Sequence, residues 1–280
     1  MTFLPSGGTS AAADGAFGNG TANAVYAVDT TLAAPLIANN VTVNAGIKLI
    51  CHGYPVIVKG TLTLGAGALV TSNGGSAVLF NAGAAADAGT MAGGNAGGAG
   101  AVGAGAAGTG SADCAGKSGG AGGAGSGGAG GAAGVATGCT NSAEMMAHYF
   151  PYATLGVVWP TSTPTYLVGG CGGGGGGGNG AAIKGGGGGG GGGINIVIAN
   201  TVVWGAGAKI QANGGSGADG PFVNCGGGGG GGGGYVSYIY RSETGVRTVE
   251  AAGGKQGYSI GGAGVDGNPG VAGLVVVLQV

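Results

Sequence analysis

Apolar and polar positions alternate with a period of two in several short stretches, and two of these stretches are copies of one another. Val56–Ser76 aligns without a gap on Ile196–Ser216, an offset of 140 residues. Each copy runs from a β-branched alternating segment through Gly-Ala-Gly into a second apolar segment and closes on Asn-Gly-Gly-Ser. A worn third copy begins at Val236, passes Gly245 and closes on Ala251-Ala252-Gly253-Gly254, and a half-copy spans Leu274–Val280. Val41–Ile50 alternates in the same way, and Ala24–Thr30 does so more briefly. Period-two alternation of β-branched residues predicts strands, and Gly-x-Gly predicts tight turns. Units that cannot bury a face alone stack on one another. The expected fold is therefore all-β and irregular, with almost no α-helix: short strands stacked as a β-sandwich or helix-like pile at one end.

Between the copies the alternation gives way to glycine. Gly172–Gly178, Gly185–Gly193 and Gly226–Gly234 are unbroken, and a looser Gly/Ala/Ser stretch covers about 82–134. Long glycine runs are ordinarily flexible linkers. Here they are short, and the last two empty directly into the apolar segments Ile194–Trp204 and Tyr235–Tyr240. Glycine also keeps a three-residue beat at 116, 119, 122, 125, 128, 131 and 134, and at 261, 264, 267, 270 and 273. Three residues per turn is the period of the polyproline II helix, whose amides have no partner inside the helix. Without side chains, such helices approach closely enough to bond to one another, and the tracts are expected to form a polyglycine II helix bundle. A nine-glycine run would extend roughly 28 Å at about 3.1 Å per residue, so strand ends and loop ends are expected at opposite poles. Collagen requires glycine at every third place and abundant proline. The chain has 80 glycines in 280 residues but only 8 prolines, and its phase breaks repeatedly.

Composition narrows the function classes. Charged residues make up 6% of the chain, the net charge is −1, and 44% of residues are apolar. Disordered chains are highly charged and weakly hydrophobic, so this one is expected to pack. Eight scattered Lys and Arg supply no electrostatic groove for nucleic acid and no attraction to an anionic membrane surface. No apolar stretch reaches the roughly 18 residues of a spanning helix, and Met1–Ala11 lacks the features of a secretory signal. The expectation is a protein made in the cytoplasm, without membrane insertion. Its five cysteines (51, 114, 139, 171 and 225) show no CxxC spacing and are expected to be mostly buried, reduced thiols. A Cys139–Cys171 bridge clamping the segment between them is the one pairing considered.

Candidate chemistry is sparse. Ser111–Ser118 nearly spells a phosphate-binding loop, but its first position is not glycine and no strand-to-helix context surrounds it. Glu144 and His148 have ligand spacing on a helix, with no third ligand in view. The nine carboxylates show no spacing suited to paired acid–base work, and the two histidines and isolated cysteines suggest no nucleophile triad. No cofactor, no metal and no enzymatic activity are expected.

The interruptions of the tracts are more telling. The largest, 135–168, carries His148, Tyr149, Phe150, Tyr152, Trp159 and Tyr166; smaller ones are 179–184, 219–225 around Phe222, and 255–259 around Tyr258. The aromatic residues of the large insert suit either a local mini-core or an exposed patch gripping sugars or a protein loop. Trp204, inside a repeat strand, is expected in the core. Residues 1–40 are rich in turn formers and suit an attachment segment or a frayed N-terminus, leaving 41–280 as the β-repeat and polyglycine II domain.

Glycine tracts separated by short aromatic-bearing segments resemble the tail-fibre tip adhesins of T-even phages, and the strand pair ending in Asn-Gly-Gly resembles glycine-rich phage tail proteins. Val56–Ser76, Ile196–Ser216 and Val236–Gly254 match the second pattern, and the tracts 116–134, 172–178, 185–193, 226–234 and 261–273 match the first. The chain departs from the adhesins in having less regular glycine motifs, one insert much larger than the rest, and no recognisable fibre-attachment domain in 1–40.

The resemblance implies a virion protein of the tail or fibre. It would be a receptor-binding adhesin whose loops at 135–168, 179–184, 219–225 and 255–259 meet a host cell-surface protein or glycan. The receptor-binding residues would then be His148, Tyr149, Phe150, Tyr152, Trp159, Tyr166, Phe222 and Tyr258. Its partners would include other tail or fibre subunits, and the polar edges of such a bundle invite self-association, for example as a homotrimer. Two alternatives stand beside this reading. One is a purely structural tail or capsid decoration protein whose insert packs on a neighbouring subunit; the other is an ice-binding protein, since small springtail antifreezes also use polyglycine II bundles.

Overall fold

The alternating segments become twelve strands in two parallel sheets that share one core. The computed structural model describes residues 22–86, 93–110, 116–136 and 169–280; it is all-β, with no helix among these residues. The strands are β1 (Asn23–Tyr26), β2 (Thr30–Thr31), β3 (Leu36–Ala38), β4 (Asn40–Val43), β5 (Lys48–Ile50), β6 (Val56–Leu64), β7 (Leu69–Thr71), β8 (Ile194–Trp204), β9 (Lys209–Gln211), β10 (Tyr235–Thr244), β11 (Val249–Glu250) and β12 (Leu274–Gln279). The larger sheet has the order β1-β4-β6-β8-β10-β12, with β3 also paired to β6; the smaller has the order β11-β9-β7-β5-β2. Every strand pair is parallel.

Each repeat copy therefore lays one strand in the larger sheet, turns, and lays a short strand in the smaller one. The turn explains its own sequence. In Gly65-Ala66-Gly67 and Gly205-Ala206-Gly207 the second glycine has φ near +70°, a left-handed conformation that side chains disfavour. The first glycine sits so close to the turn beneath that a Cβ would overlap the backbone nitrogen of Ala45 or Ala66, respectively. Successive turns are linked by Gly46 N–H to Ala66 O (2.8 Å) and Gly67 N–H to Ala206 O (2.9 Å).

The core lies between the sheets. Val41, Leu62, Val202 and Val236 of the larger sheet and Leu49, Val70 and Ile210 of the smaller belong to one buried cluster. Trp204, as expected, is part of it. β1, β2 and β3 lie in the stretch assigned on sequence to an attachment segment, and they pair within the same two sheets. Asn195, a polar residue among the apolar residues that begin β8, is buried and donates from Nδ2 to Val70 O (3.0 Å) and Gln211 O (3.2 Å). It thereby ties the two sheets together where the strands meet the tracts.

Beyond the strands the repeat copies continue to touch. Asn213 N–H donates to Asn73 Oδ1 (2.7 Å) and Ser216 N–H to Ser76 Oγ (3.1 Å), each across the 140-residue offset of the repeat. Asn213 Oδ1 in turn accepts from Ala252 N–H (2.7 Å) in the third copy. Asn-Gly-Gly-Ser is thus a stacking device at the point where strand gives way to glycine.

The tracts themselves are neither strand nor helix, and their amides are used in threes. From the 185–193 run, Gly186, Gly189 and Gly192 donate to Gly226, Gly229 and Gly232. Gly185, Gly188 and Gly191 donate to Ala101, Gly98 and Asn95, while Gly187, Gly190 and Gly193 donate to Leu79, Gly75 and Ser72. The ring closes through Gly226, Gly229 and Gly232, which donate to Gly177, Gly174 and Cys171, and through Gly170, Gly173 and Gly176, which donate back to Gly192, Gly189 and Gly186. These three runs are buried along their whole lengths, whereas the mixed tracts around them leave most of their positions exposed or half-exposed, as at Ser118, Ala121 and Ala124. Unbroken glycine therefore marks a tract with neighbours on every side. A Cβ at Gly189 would overlap Gly215 O, and one at Gly231 would overlap Gly190 O.

Candidate functional site

The hydrogen bonds also give each interruption its height along the tracts. Gly193 and Gly234 lead directly into β8 and β10, so amides bonded near them lie at the sheet end. That end holds Ala86 (to Gly191 O), Lys117 (to Gly233 O) and Gly170 (to Gly192 O). Ala136 N–H joins them by donating to Ser118 Oγ at 3.0 Å. The opposite, distal end holds the loops around 78–81, 101–104, 124–128, 179–184, 219–225 and 258–263. These are joined by Gly187 to Leu79 O, Gly180 to Val102 O, Ser126 to Asn224 O, Gly220 to Tyr258 O and Asn224 to Gly261 O.

The candidate residues consequently do not share one junction with the body. Phe222 and Tyr258 are at the distal end, 57% and 53% exposed. Their loops are locked together, because Tyr258 N–H donates to Asp219 Oδ1 (2.7 Å) and Ala263 N–H to Asn224 Oδ1 (2.8 Å). Asn224 holds φ at +66° to make this junction. The chain enters and leaves the large insert at the sheet end, through Ala136 and Gly169, the latter donating to Gly93 O at 2.9 Å. His148, Tyr149, Phe150, Tyr152, Trp159 and Tyr166 themselves lie outside the described residues, as do Glu144, Cys139 and the start of the Ser111–Ser118 motif.

A second apolar group at the distal end was not singled out from the sequence. Val78 and Leu79 are 66% and 58% exposed on a tight turn closed by Asn81 N–H to Val78 O (3.0 Å), and Phe80 follows them. Leu79 sits at φ +54°, which for a leucine costs about 1–2 kcal/mol; such outliers cluster at sites where the surroundings hold them for a purpose. Lys184 Nζ from the neighbouring loop stands 4.7 Å over the Phe80 ring, a cation–π contact that fixes one loop against the next. The available signal was three consecutive large apolar residues set between Ser76-Ala77 and Asn81-Ala82. Together with Phe222, Val223, Tyr258 and Ile260, all exposed, they make the distal end apolar and almost free of charge.

At the far end of the larger sheet a polar–aromatic cluster is closed on itself. Glu243 Oε2 accepts from Trp204 Nε1 and from Tyr238 OH (both 3.1 Å), while Arg247 Nη1 donates to Glu243 Oε1 (2.8 Å) and Tyr240 OH (3.0 Å). Tyr238 stacks on Tyr240 at 4.9 Å. Burial, reinforced by the Glu243 carboxylate, pushes the Tyr238 hydroxyl well above its ordinary range. With its donors and acceptors engaged internally, the cluster is a clamp for the sheet.

Of the thiols, Cys51 and Cys225 are buried, and Cys171 is buried and accepts from Asn95 Nδ2 at 3.8 Å. Burial pushes the Cys51 thiol up to about 12, the opposite of what a nucleophile requires. Among the described residues no group of three or more His, Cys, Asp or Glu is placed to hold a metal ion. Comparison with known protein families, with characterised proteins and with solved structures found no match for this chain.

Proposed function

We propose that the chain is a non-enzymatic virion protein of a phage tail or fibre, displaying receptor-binding loops on a rigid polyglycine II bundle. The observation that carries this reading is the closed ring of amide bonds among the 172–178, 185–193 and 226–234 runs, repeated at every third residue. Three donors per turn aimed at three neighbours is the bonding that threefold helices without side chains require. A post built this way holds its distal loops with little freedom left to lose on binding, which lowers the cost of association. The apolar distal surface, sparing in charge, suits a protein loop or the apolar face of a glycan, and it gathers Val78, Leu79, Phe80, Phe222 and Tyr258 from three loops.

Two experiments test the two halves of the proposal. Amides of 185–193 and 226–234 should exchange as slowly as those of β8 and β10; exchange at the rate of an open chain removes the bundle. For the function, a Phe80→Ala/Phe222→Ala/Tyr258→Ala variant should keep the fold and lose adsorption to host cells. A Tyr149→Ala/Tyr152→Ala/Trp159→Ala variant reports separately on the insert, and normal adsorption by both variants removes the adhesin reading. The structural alternative, a tail component making subunit contacts, is favoured by one specific feature, the outer edge of β12.

A further inference from the structure

β12 and the tract that feeds it, 264–273, have no neighbour on their outer side among the described residues. Their inner side is fully used. Gly267, Gly270 and Gly273 lie so close to the 226–234 run that a Cβ would overlap the carbonyl oxygens of Gly228, Gly231 and Gly234. Val265, Asn268 and Val271 donate their amides to Ala124, Ala121 and Ser118. The remaining set, Asp266, Pro269 and Ala272, is exposed. Proline stands in the one set where a missing N–H loses no internal bond.

In β12, Leu274 and Val280 donate towards β10, to Gly234 O and Tyr240 O. Strand alternation then directs the main-chain groups of Val275, Val277 and Gln279 outward. Val265, Val271 and Val277 are 55%, 52% and 39% exposed along this edge. Asp266 is the one charged residue from 261 to 280, and its carboxylate already accepts from Ser259 N–H. Soluble proteins blunt an exposed edge strand with lysine, proline within the strand, or a bulge, and β12 carries none of these.

We infer that this edge is a contact between copies of this chain, lying side by side with their tracts and strands along a common axis. The inference rests on the extended tract geometry proposed above. Outward main-chain groups recur about every 9 Å along the tract and about every 7 Å along β12. A foreign strand matches only the second spacing, whereas a second copy carries both in the same order. The edge runs for about 50 Å. A stable contact covers about 800 Å² per partner, which a strip of that length supplies at about 16 Å wide, little more than two packed layers. Closed rotational symmetry about that axis turns every distal end the same way.

Sedimentation velocity of the full chain over a wide concentration range tests this. The wild type should sediment as an oligomer, and Val271→Lys/Val277→Lys should sediment as a monomer with an unchanged far-ultraviolet β spectrum. Val277→Pro should do the same, because the amide it removes is not bonded to β10. Val25→Lys, at an exposed position on the opposite edge of the sheet, should keep the oligomer. A monomeric wild type at every concentration, or Val277 variants that retain the wild-type mass, overturns the inference. Neither result alters amide exchange in 185–193, whose loss would instead remove the extended geometry itself.

Discussion

In the sheets, Val41, Leu62, Val202 and Ile210 fill the space between parallel strands with side chains. A few residues along the same chains, Gly173, Gly189 and Gly229 have nothing between them except their own amides. Both halves hold neighbouring segments by lateral main-chain bonds, all parallel in the sheets but of mixed direction in the tracts, where 172–178 runs opposite to 185–193 and 226–234, and they draw their stability from different terms. The sheet half buries apolar side-chain area at about 25 cal/mol per Å². The tract half gains close backbone packing and satisfied amides, against the large conformational entropy that glycine loses on ordering. The difference teaches that the two halves should fail differently: the sheets through cavities, the tracts through any added atom.

The sharpest way to break the comparison is a single methyl group. Gly189→Ala places a Cβ on Gly215 O with backbone on every side, and should destabilise by at least about 4 kcal/mol, the range reserved for unrelievable overlap. Ala121→Ser, at a half-exposed position of a peripheral tract, should change stability by less than about 0.5 kcal/mol. Denaturant unfolding of the two variants measures this, and equal effects would mean that the tracts are not closely packed.

Leu62→Ala is the matching experiment in the sheets. Leu62 is fully buried, and its truncation should cost about 2–5 kcal/mol with the fold retained. Smaller in effect is Glu243→Ala, which leaves the Trp204 and Tyr238 donors without their acceptor. It should cost about 1–3 kcal/mol and quench or shift Trp204 fluorescence.

Alkaline pH separates the halves without mutation, because the tracts carry few titratable groups. Burial holds Cys51 up to about 12 against an ordinary 9.0, and Tyr26 up to about 12 against 10.0. Both are neutral when folded and ionise more readily when unfolded. Their contribution is complete below pH 9 and is lost as pH rises towards 12. Over that window the free energy of unfolding should fall by at most about 1.4 kcal/mol per pH unit for each group, and Cys51→Ala should flatten the part that begins near pH 9.

Much of this fold was legible in the chain. The copies at Val56 and Ile196, with turns at Gly67 and Gly207, became strand, turn and strand where alternation placed them, and the half-copy at Leu274 became the single strand β12, because alternation and positive φ are local properties. The candidate site was legible only in fragments. Phe222 and Tyr258 stood out as aromatics interrupting glycine, whereas Val78 and Leu79 passed as more of a small-residue stretch. Nothing local revealed that loops at 78–81, 219–225 and 258–263 would be neighbours.

What the amino-acid sequence determined by itself is the inventory: which segments alternate, where turns need glycine, and which tracts must be buried because no residue in them has a side chain to expose. Only the tertiary structure decided which tract lies beside which, and that the 135–168 insert joins the body at the sheet end while the smaller interruptions meet at the other. The physical reason lies in glycine. A tract without side chains offers the same donors and acceptors to any neighbour, so its partners are chosen by the strands at its ends and by the number of residues between them.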